Sequence, residues 1–265
     1  MKTKSRVISI LNTSSLGFSV TGLRCFSLSE LALASDLEFQ LPTNLRLGHL
    51  AEKVVSELIK GSTNFKILHE NIQIVENEQT IGELDLIIKN RETQEVLHVE
   101  LAYKFYLFDP TISSEEFCNW IGPNRNDSLQ QKLEKLKRKQ FPLLYEPSTR
   151  AMLSNIEVDQ VSQALCLLVS LFIPYGYKVN FSPAYSAAIK GYYLNLETFI
   201  SLNNSEKAYY LPSKTHWGMD PAENEIWTDF DGIEERIMTS LEERRSPLCW
   251  QRSNGSYSTF FIVWW

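Results

Sequence analysis

Charged side chains occupy alternate positions of two predicted strands that otherwise read as core. Asp85 lies in the first strand, predicted over residues 80–89, and Glu100 and Lys104 lie in the second, predicted over residues 96–107. Side chains alternate between the two faces of a strand, so Glu100 and Lys104 share a face. If the two strands pair as an antiparallel hairpin, Asp85 reaches the same face within cross-strand distance of Glu100.

Asp85 and Glu100 would repel each other at this distance unless a proton or a cation lies between them. Oxygen ligands on a rigid sheet suit Mg²⁺ or Mn²⁺, which keep waters that can be activated for attack. Lys104 would then stabilise the charge on a phosphate, and Glu52, on the preceding helix, would reach in as a further ligand. The pattern therefore predicts a site for a divalent metal ion.

A second interpretation of the same pattern involves no chemistry. An antiparallel sheet with one solvated face also shows polar residues at alternate positions, and Glu100 with Lys104 would then be a plain ion pair. Against it, Asp is a poor strand former, and Ala102 leaves open space between the acid and the lysine. Glu83 and His98 fall on the same two strands, where each is either a part of the site or an ordinary polar residue.

Apolar periodicity predicts the elements that must position these residues. A helix over residues 47–59 precedes a three-stranded meander that begins with a strand over residues 65–75, and a second helix follows over residues 127–140. Asp127 is predicted to cap that second helix. The candidates for contact with a nucleic-acid backbone lie on the same helix: Lys132, Lys135 and Lys139, which share one face, and Gln140, which falls on the apolar face.

The last third of the chain is predicted to add further strands and helices. Hydrophobic runs predict strands over residues 161–173 and 188–196, a helix begins near Leu196, and a helix of mixed charge covers residues 233–245. An aromatic segment at residues 257–265 either stacks on bases or, as we expect, closes the core as a strand.

Composition limits the classes of protein to which the chain can belong. Its 265 residues are 43% hydrophobic, which is enough for a sizeable core. The net charge of −6 would repel a phosphate backbone, so a nucleic-acid partner would need a local basic patch. The scattered cysteines and histidines form no zinc motif, which favours a reducing cytoplasm. The longest apolar segment, residues 164–173, is about half the length of a membrane span. We therefore expect no membrane association.

The central block of the sequence resembles a known superfamily. GELDLI, at residues 82–87, followed by HVELAYK, at residues 98–104, is similar to the paired motif of the PD-(D/E)XK nucleases. The resemblance is closer still to DUF1853, a bacterial family of unknown function, and it covers residues 45–265. The further segments that carry it are RLGHLAEK at residues 46–53, GPNRNDSLQQKL at 122–133, KGYYL at 190–194 and THWGMDP at 215–221.

The resemblance implies an α/β fold of restriction-endonuclease type, with a mixed central sheet flanked by helices and a C-terminal elaboration. Residues 1–44 would form an N-terminal extension, and residues 45–265 would form a single PD-(D/E)XK-like domain. The implied activity is metal-dependent hydrolysis of phosphodiester bonds in DNA or RNA. In that activity Asp85, Glu100 and Glu52 would hold Mg²⁺ or Mn²⁺, and Lys104 would be the catalytic lysine.

The spacing of the lysine departs from the superfamily motif. The motif has one residue between the acid and the lysine, whereas three residues separate Glu100 from Lys104, and Ala102 stands where the motif has its lysine. Lys104 is therefore displaced by one strand repeat, about 6.6 Å, on the same face. This departure favours an alternative function, in which a catalytically inactive module of the same fold binds nucleic acid or a protein partner.

Overall fold

The computed structural model describes residues 3–33 and 39–265, in which helices are interspersed with the strands of a mixed sheet. Residues 1–2 and 34–38, which belong to the predicted N-terminal extension, lie outside the described residues. The helices are α1 (Thr3–Leu11), α2 (Phe18–Thr21), α3 (Leu47–Lys60), α4 (Leu129–Lys135), α5 (Pro147–Met152), α6 (Pro183–Ser186), α7 (Leu196–Leu202) and α8 (Asp231–Glu242). The strands are β1 (Ser14–Ser15), β2 (Phe65–Glu76), β3 (Gln79–Asn90), β4 (Val96–Phe108), β5 (Trp120–Ile121), β6 (Ser162–Pro174), β7 (Ile189–Asn195), β8 (Lys207–Tyr210), β9 (Leu248–Ser253) and β10 (Ser256–Val263).

The chain divides into two compact units that alternate along the sequence. The hairpin unit comprises Ser15–Tyr103 and Gln131–Leu168. The C-terminal unit comprises Met1–Ser14, Lys104–Gln130 and Val169–Trp265. Strands β4 and β6 each contribute residues to both units. The division into an extension over residues 1–44 and one domain over residues 45–265 stays a prediction.

Strand order and direction confirm the predicted mixed sheet. In the hairpin unit the order is β2-β3-β4-β6, and β2, β3 and β4 form an antiparallel meander. In the C-terminal unit the order is β6-β7-β10-β9-β8, with β7 parallel to both β6 and β10 and the remaining pairs antiparallel. An α/β fold with a mixed sheet and flanking helices is therefore correct.

The hairpin unit is held together by apolar residues on α3 and on the meander. Leu50, Val54 and Leu58 recur at helical spacing on α3 and are at most 1% exposed. Burial of each such side chain stabilises the fold by about 1.5–3 kcal/mol. A separate cluster packs Leu84 and Ile87 of the meander with residues of the 143–161 segment. The predicted helix over residues 47–59 and the three predicted strands are confirmed within one residue at most ends.

The core of the C-terminal unit confirms the predicted closing strand. Phe260 and Ile262 of β10 are fully buried and pack with Phe199 and Tyr209. β10 lies between β7 and β9, and Gly191 of β7 allows the close approach, because a Cβ atom there would overlap the carbonyl oxygen of Thr259. The aromatic segment is thus a core strand over Ser256–Val263 rather than an exposed stacking platform.

Two predictions about the second helix are wrong. The predicted helix over residues 127–140 begins at Leu129 and changes at Leu136 into a π-helical turn that runs to Gln140. Asp127 is therefore not its cap residue. The prediction fails because Asp127 is engaged elsewhere: its carbonyl accepts from Gly122 N at 2.7 Å, and its carboxylate binds Lys104.

The longest apolar segment is a buried strand, as predicted, since residues 164–172 of β6 are all buried. Across the described ranges, every helix is too short or too polar to cross a membrane.

Candidate functional site

The antiparallel ladder between β3 and β4 ends one residue before the predicted carboxylate pair. Its last pair is Leu86 with Val99, and the same register would next place Asp85 opposite Glu100. Instead, Asp85 Oδ2 accepts a hydrogen bond from the N–H of Leu101 at 2.7 Å. The N–H of Leu101 on β4 thus bonds to a side-chain carboxylate instead of a backbone carbonyl of β3, and the ladder between the two strands stops at Asp85.

Asp85 faces a cavity of about 460 Å³ in the hairpin unit, which we call the Asp85 cleft. Glu52 lines the same cleft from α3, and its Oε2 lies 2.9 Å from His49 Nδ1. Glu83 also lines it, on the strand that carries Asp85. Glu70 lies at the same cleft and pairs with Lys60 at 2.8 Å. The cleft therefore gathers carboxylates from one helix and two strands.

The electrostatics of Asp85 distinguish it from the other acids. Burial raises the pKa of Asp85 to about 8, and the negative charge of Glu100 adds to the rise. The hydrogen bond from Leu101 and the charge of Lys132 lower the pKa, whereas Glu52 raises it further. Near neutral pH, Asp85 therefore keeps a proton unless a cation offsets its neighbours.

Glu100 is fully buried and is held by a donor on each oxygen. His98 Nε2 lies 2.9 Å from Oε1, and Gln140 Nε2 donates to Oε2 at 2.6 Å. Gln163 Nε2 donates to the carbonyl of Phe141 at 2.7 Å and lies 3.2 Å from His98 Nδ1. Because the Gln163 amide nitrogen is a donor, His98 accepts at Nδ1 and donates from Nε2 to Glu100. The alternative of a solvated polar face is wrong for His98 and Glu100, both of which are 0% exposed.

The π-helical turn after α4 places Gln140 against Glu100. The N–H of Phe141 bonds to the carbonyl of Leu136, five residues back, so this turn holds one residue more than an α-helical turn. Lys132 Nζ donates to Gln140 Oε1 at 3.1 Å. The separate faces predicted for Lys132 and Gln140 are therefore wrong, because that prediction assumed a regular α-helix to residue 140.

Lys135 and Lys139 remain on the surface, as a basic helix face predicts. Their proposed contact with nucleic acid stays a prediction, and so does that of Lys132 and Gln140.

Lys104 belongs to the C-terminal unit and is engaged by a carboxylate there. Its Nζ donates to Asp127 Oδ2 at 2.7 Å. The Lys104 side chain is 35% exposed and the Asp127 side chain is 42% exposed. Gly122 allows this arrangement, because a Cβ atom there would overlap Asp127 Oδ1. The sequence gives no signal for this pair, since the two residues are separated by an irregular segment.

Gln163 was not a candidate in the sequence, and His98 was either a part of the site or an ordinary polar residue. Gln163 stands just before the apolar run of β6, where a polar residue marks a strand end and nothing more. In the structure His98 is a satisfied polar residue that donates to Glu100. His98 orients Glu100 directly, Gln163 orients His98, and neither residue lines the Asp85 cleft.

Over residues 3–33 and 39–265, no three His, Cys, Asp or Glu residues lie close enough together to form a group that could hold a metal ion. The site as it stands is thus the partly buried Asp85 next to the fully buried Glu100, with Glu52 on the other side of the cleft.

Comparison with known proteins gives one match. A family model described as a domain of unknown function (DUF1853) matches residues 21–256. Searches of curated proteins and of solved structures give no match.

Proposed function

The chain belongs to the DUF1853 family, and we propose that it is a metal-dependent nuclease that hydrolyses phosphodiester bonds of DNA or RNA at the Asp85 cleft. One observation carries the proposal: Asp85 is a desolvated carboxylate that is crowded by Glu100 and Glu52 and opens onto a cleft. Acidic groups with strongly shifted pKa values in clefts are typical of functional sites. The PD-(D/E)XK variant of the α/β fold belongs to the same proposal.

The donor set fits Mg²⁺ or Mn²⁺. Magnesium is commonly bound through only one or two protein carboxylates, so the lack of a three-residue group among the described side chains is compatible with such a site. Asp85 and Glu52 would hold the ion from the cleft, with Glu100 next to them. When bound, the ion would supply Lewis-acid stabilisation of charge on a phosphate. It would also offset the burial and the negative charge of Glu100 that raise the pKa of Asp85.

The residues around Glu100 act as positioning residues in this proposal. His98 and Gln140 hold one carboxylate oxygen each, so the Glu100 side chain has a single orientation. Lys132 holds Gln140 in turn and is the lysine whose charge acts on Asp85. This network supports a preorganised acid pair, which a catalytic site requires.

A second candidate function is favoured by the environment of Lys104. Lys104 forms an ion pair with Asp127, and three residues separate it from Glu100, whereas the catalytic lysine of the motif follows the acid after one residue. In this alternative the chain binds nucleic acid or a protein partner without cleaving it. Binding of nucleic acid would weaken steeply with salt, because phosphate contacts release counterions, whereas protein binding need not.

The test is titration calorimetry of Mn²⁺ into the wild type, Asp85→Asn and Glu76→Gln, followed by incubation of each with single- and double-stranded DNA and RNA. Glu76 is an exposed acid at the end of β2 and serves as the matched control. We expect metal binding and cleavage by the wild type and by Glu76→Gln, and neither by Asp85→Asn. Metal binding without cleavage would favour the binding module. Equal metal binding by Asp85→Asn would overturn the site.

A further inference from the structure

Two lysines lie directly opposite each other on the β2–β3 hairpin. Lys66 of β2 is the cross-strand partner of Lys89 of β3. Opposite residues of an antiparallel pair point to the same face with Cβ atoms about 4.5–5.5 Å apart, and like charges placed so destabilise the pair. Among the described residues, no carboxylate forms an ion pair with either lysine. The arrangement therefore leaves two adjacent positive charges to be balanced by something else.

A β-bulge brings a histidine to the same face. The register passes from Ile67 opposite Ile88 to His69 opposite Ile87, so Leu68 is the extra residue. Ile87 and Lys89 are two residues apart on β3 and share a face, and His69 therefore points to the face of the lysines. Without the bulge, His69 would lie on the other face of the hairpin.

Lys66, Lys89 and His69 line one cavity of about 530 Å³, which we call the lysine cavity. Its carboxylates are Glu95 and Glu157. Glu95 is bound by Arg24 through both oxygens, at 2.5 and 3.0 Å, so its charge is already balanced. Glu157 is exposed to solvent. The lining also carries neutral donors, among them the hydroxyl of Thr93 and the amides of Asn155 and Gln160.

We propose that the lysine cavity binds a phosphate group. Its two lysines match the charge of a phosphate, and the imidazole, amide and hydroxyl groups match its several acceptor oxygens. An anion with a single charge would leave one lysine unbalanced. The phosphate belongs either to a small phosphate ester or to a nucleic-acid backbone, and both present the same chemistry. The site involves none of the residues of the Asp85 cleft, so it stands independently of the proposed nuclease activity.

The test compares the wild type with Lys89→Gln, Lys66→Gln and the control Lys178→Gln, which removes a surface lysine of the other unit. Inorganic phosphate, adenosine 5′-monophosphate and a single-stranded oligonucleotide without terminal phosphates are the probes, at ionic strength matched with sodium chloride. Thermal unfolding and titration calorimetry measure binding. We expect Lys89→Gln and Lys66→Gln to weaken binding about tenfold or more and Lys178→Gln to leave it unchanged.

The probes separate the two sources of phosphate. If both lysine variants weaken the binding of inorganic phosphate and of the monophosphate, the natural ligand is a small phosphate ester. If both variants weaken the binding of the oligonucleotide, the natural ligand is a nucleic-acid backbone. Both variants should fold, because each removes a repulsion, and circular dichroism checks this. No binding of any probe by the wild type, or equal binding by the lysine variants, overturns the proposal. Asp85→Asn should bind like the wild type, so loss of the nuclease activity and loss of this site are distinguishable.

Discussion

The β2–β3–β4 meander carries like charges at two places, and the fold treats them in opposite ways. At the acidic end, Asp85 and Glu100 lie where the ladder has opened, and Glu100 is fully buried. At the basic end, Lys66 and Lys89 remain paired in the β2–β3 ladder, next to its β-bulge, and are at least partly exposed. Three residues of β3 lie between Asp85 and Lys89, which are about 13 Å apart along the strand.

The difference shows that burial, more than the sign of the charge, decides how repulsion is relieved. A desolvated acid such as Asp85 must take up a proton or a cation, because water no longer screens its neighbours. Partly exposed lysines are screened by water and salt and tolerate direct opposition until an anion arrives. The acidic end is thus stabilised by fixed protein donors, and the basic end depends on the solution.

The largest expected effect is a pH dependence that originates at the acidic end. Asp85 keeps its proton to about pH 8 in the folded state but loses it near pH 4 when unfolded. Between these values the folded state binds more protons, so the free energy of unfolding falls as pH rises, by at most about 1.4 kcal/mol per pH unit. Urea unfolding from pH 5 to pH 8 measures the slope, and Asp85→Asn should remove most of it.

Mn²⁺ sharpens the same experiment. At pH 7.5 the ion should raise the free energy of unfolding of the wild type and leave that of Asp85→Asn unchanged, since it replaces the proton at the acid pair. If the wild type and the variant show the same pH slope, the assignment of the raised pKa to Asp85 is wrong.

His98→Leu should remove a hydrogen bond that stabilises Glu100 at the acidic end. The substitution leaves Glu100 Oε1 buried without its hydrogen-bond donor, and an unsatisfied buried acceptor of this kind costs about 1–3 kcal/mol. Urea unfolding at pH 7 measures the loss. His216→Leu is the control, because His216 is only partly buried and bonds to an exposed serine. A loss no larger than that of the control would contradict the network around Glu100.

Lys132→Met should change the pKa of Asp85 and leave the acidic end folded. Removal of this charge should raise the pKa of Asp85 further, because Lys132 lowers it in the wild type. Carboxyl ¹³C chemical shifts followed against pH report the change directly. Lys104→Met is the matched control, and we expect it to leave the pKa of Asp85 in place, since Lys104 pairs with Asp127. If Lys104→Met shifts the pKa of Asp85 more than Lys132→Met does, then Lys104, and not Lys132, is the lysine whose charge acts on Asp85.

The smallest effect is expected at the basic end. In phosphate-free buffer of low salt, Lys89→Gln should raise the free energy of unfolding by about 0.5 kcal/mol, because it removes a like-charge pair. The gain should disappear at 1 M sodium chloride, where the Debye length is about 3 Å. A loss of stability at low salt would mean that Lys89 is balanced by a partner within the chain.

Much of the local structure follows from the sequence. The helical spacing of Leu50, Val54 and Leu58 predicts α3, and the period of two in the segments around Asp85 and Glu100 predicts β3 and β4. The family is also predicted correctly from short motifs. Strands β8 and β9 were missed, because they are short and lack clear alternation, and only pairing within the sheet stabilises them.

The sequence by itself determined that Asp85 and Glu100 lie on neighbouring antiparallel strands, because a short turn and the alternation of side chains set the register of the hairpin as far as Leu86 and Val99. Only the tertiary structure decided what surrounds them. The burial of Glu100, the donors from His98 and Gln140, and the ion pair of Lys104 with Asp127 depend on segments that are distant in sequence or irregular in conformation. A π-helical turn and an open ladder leave no periodic signal, since packing against the rest of the fold, rather than local preference, stabilises them.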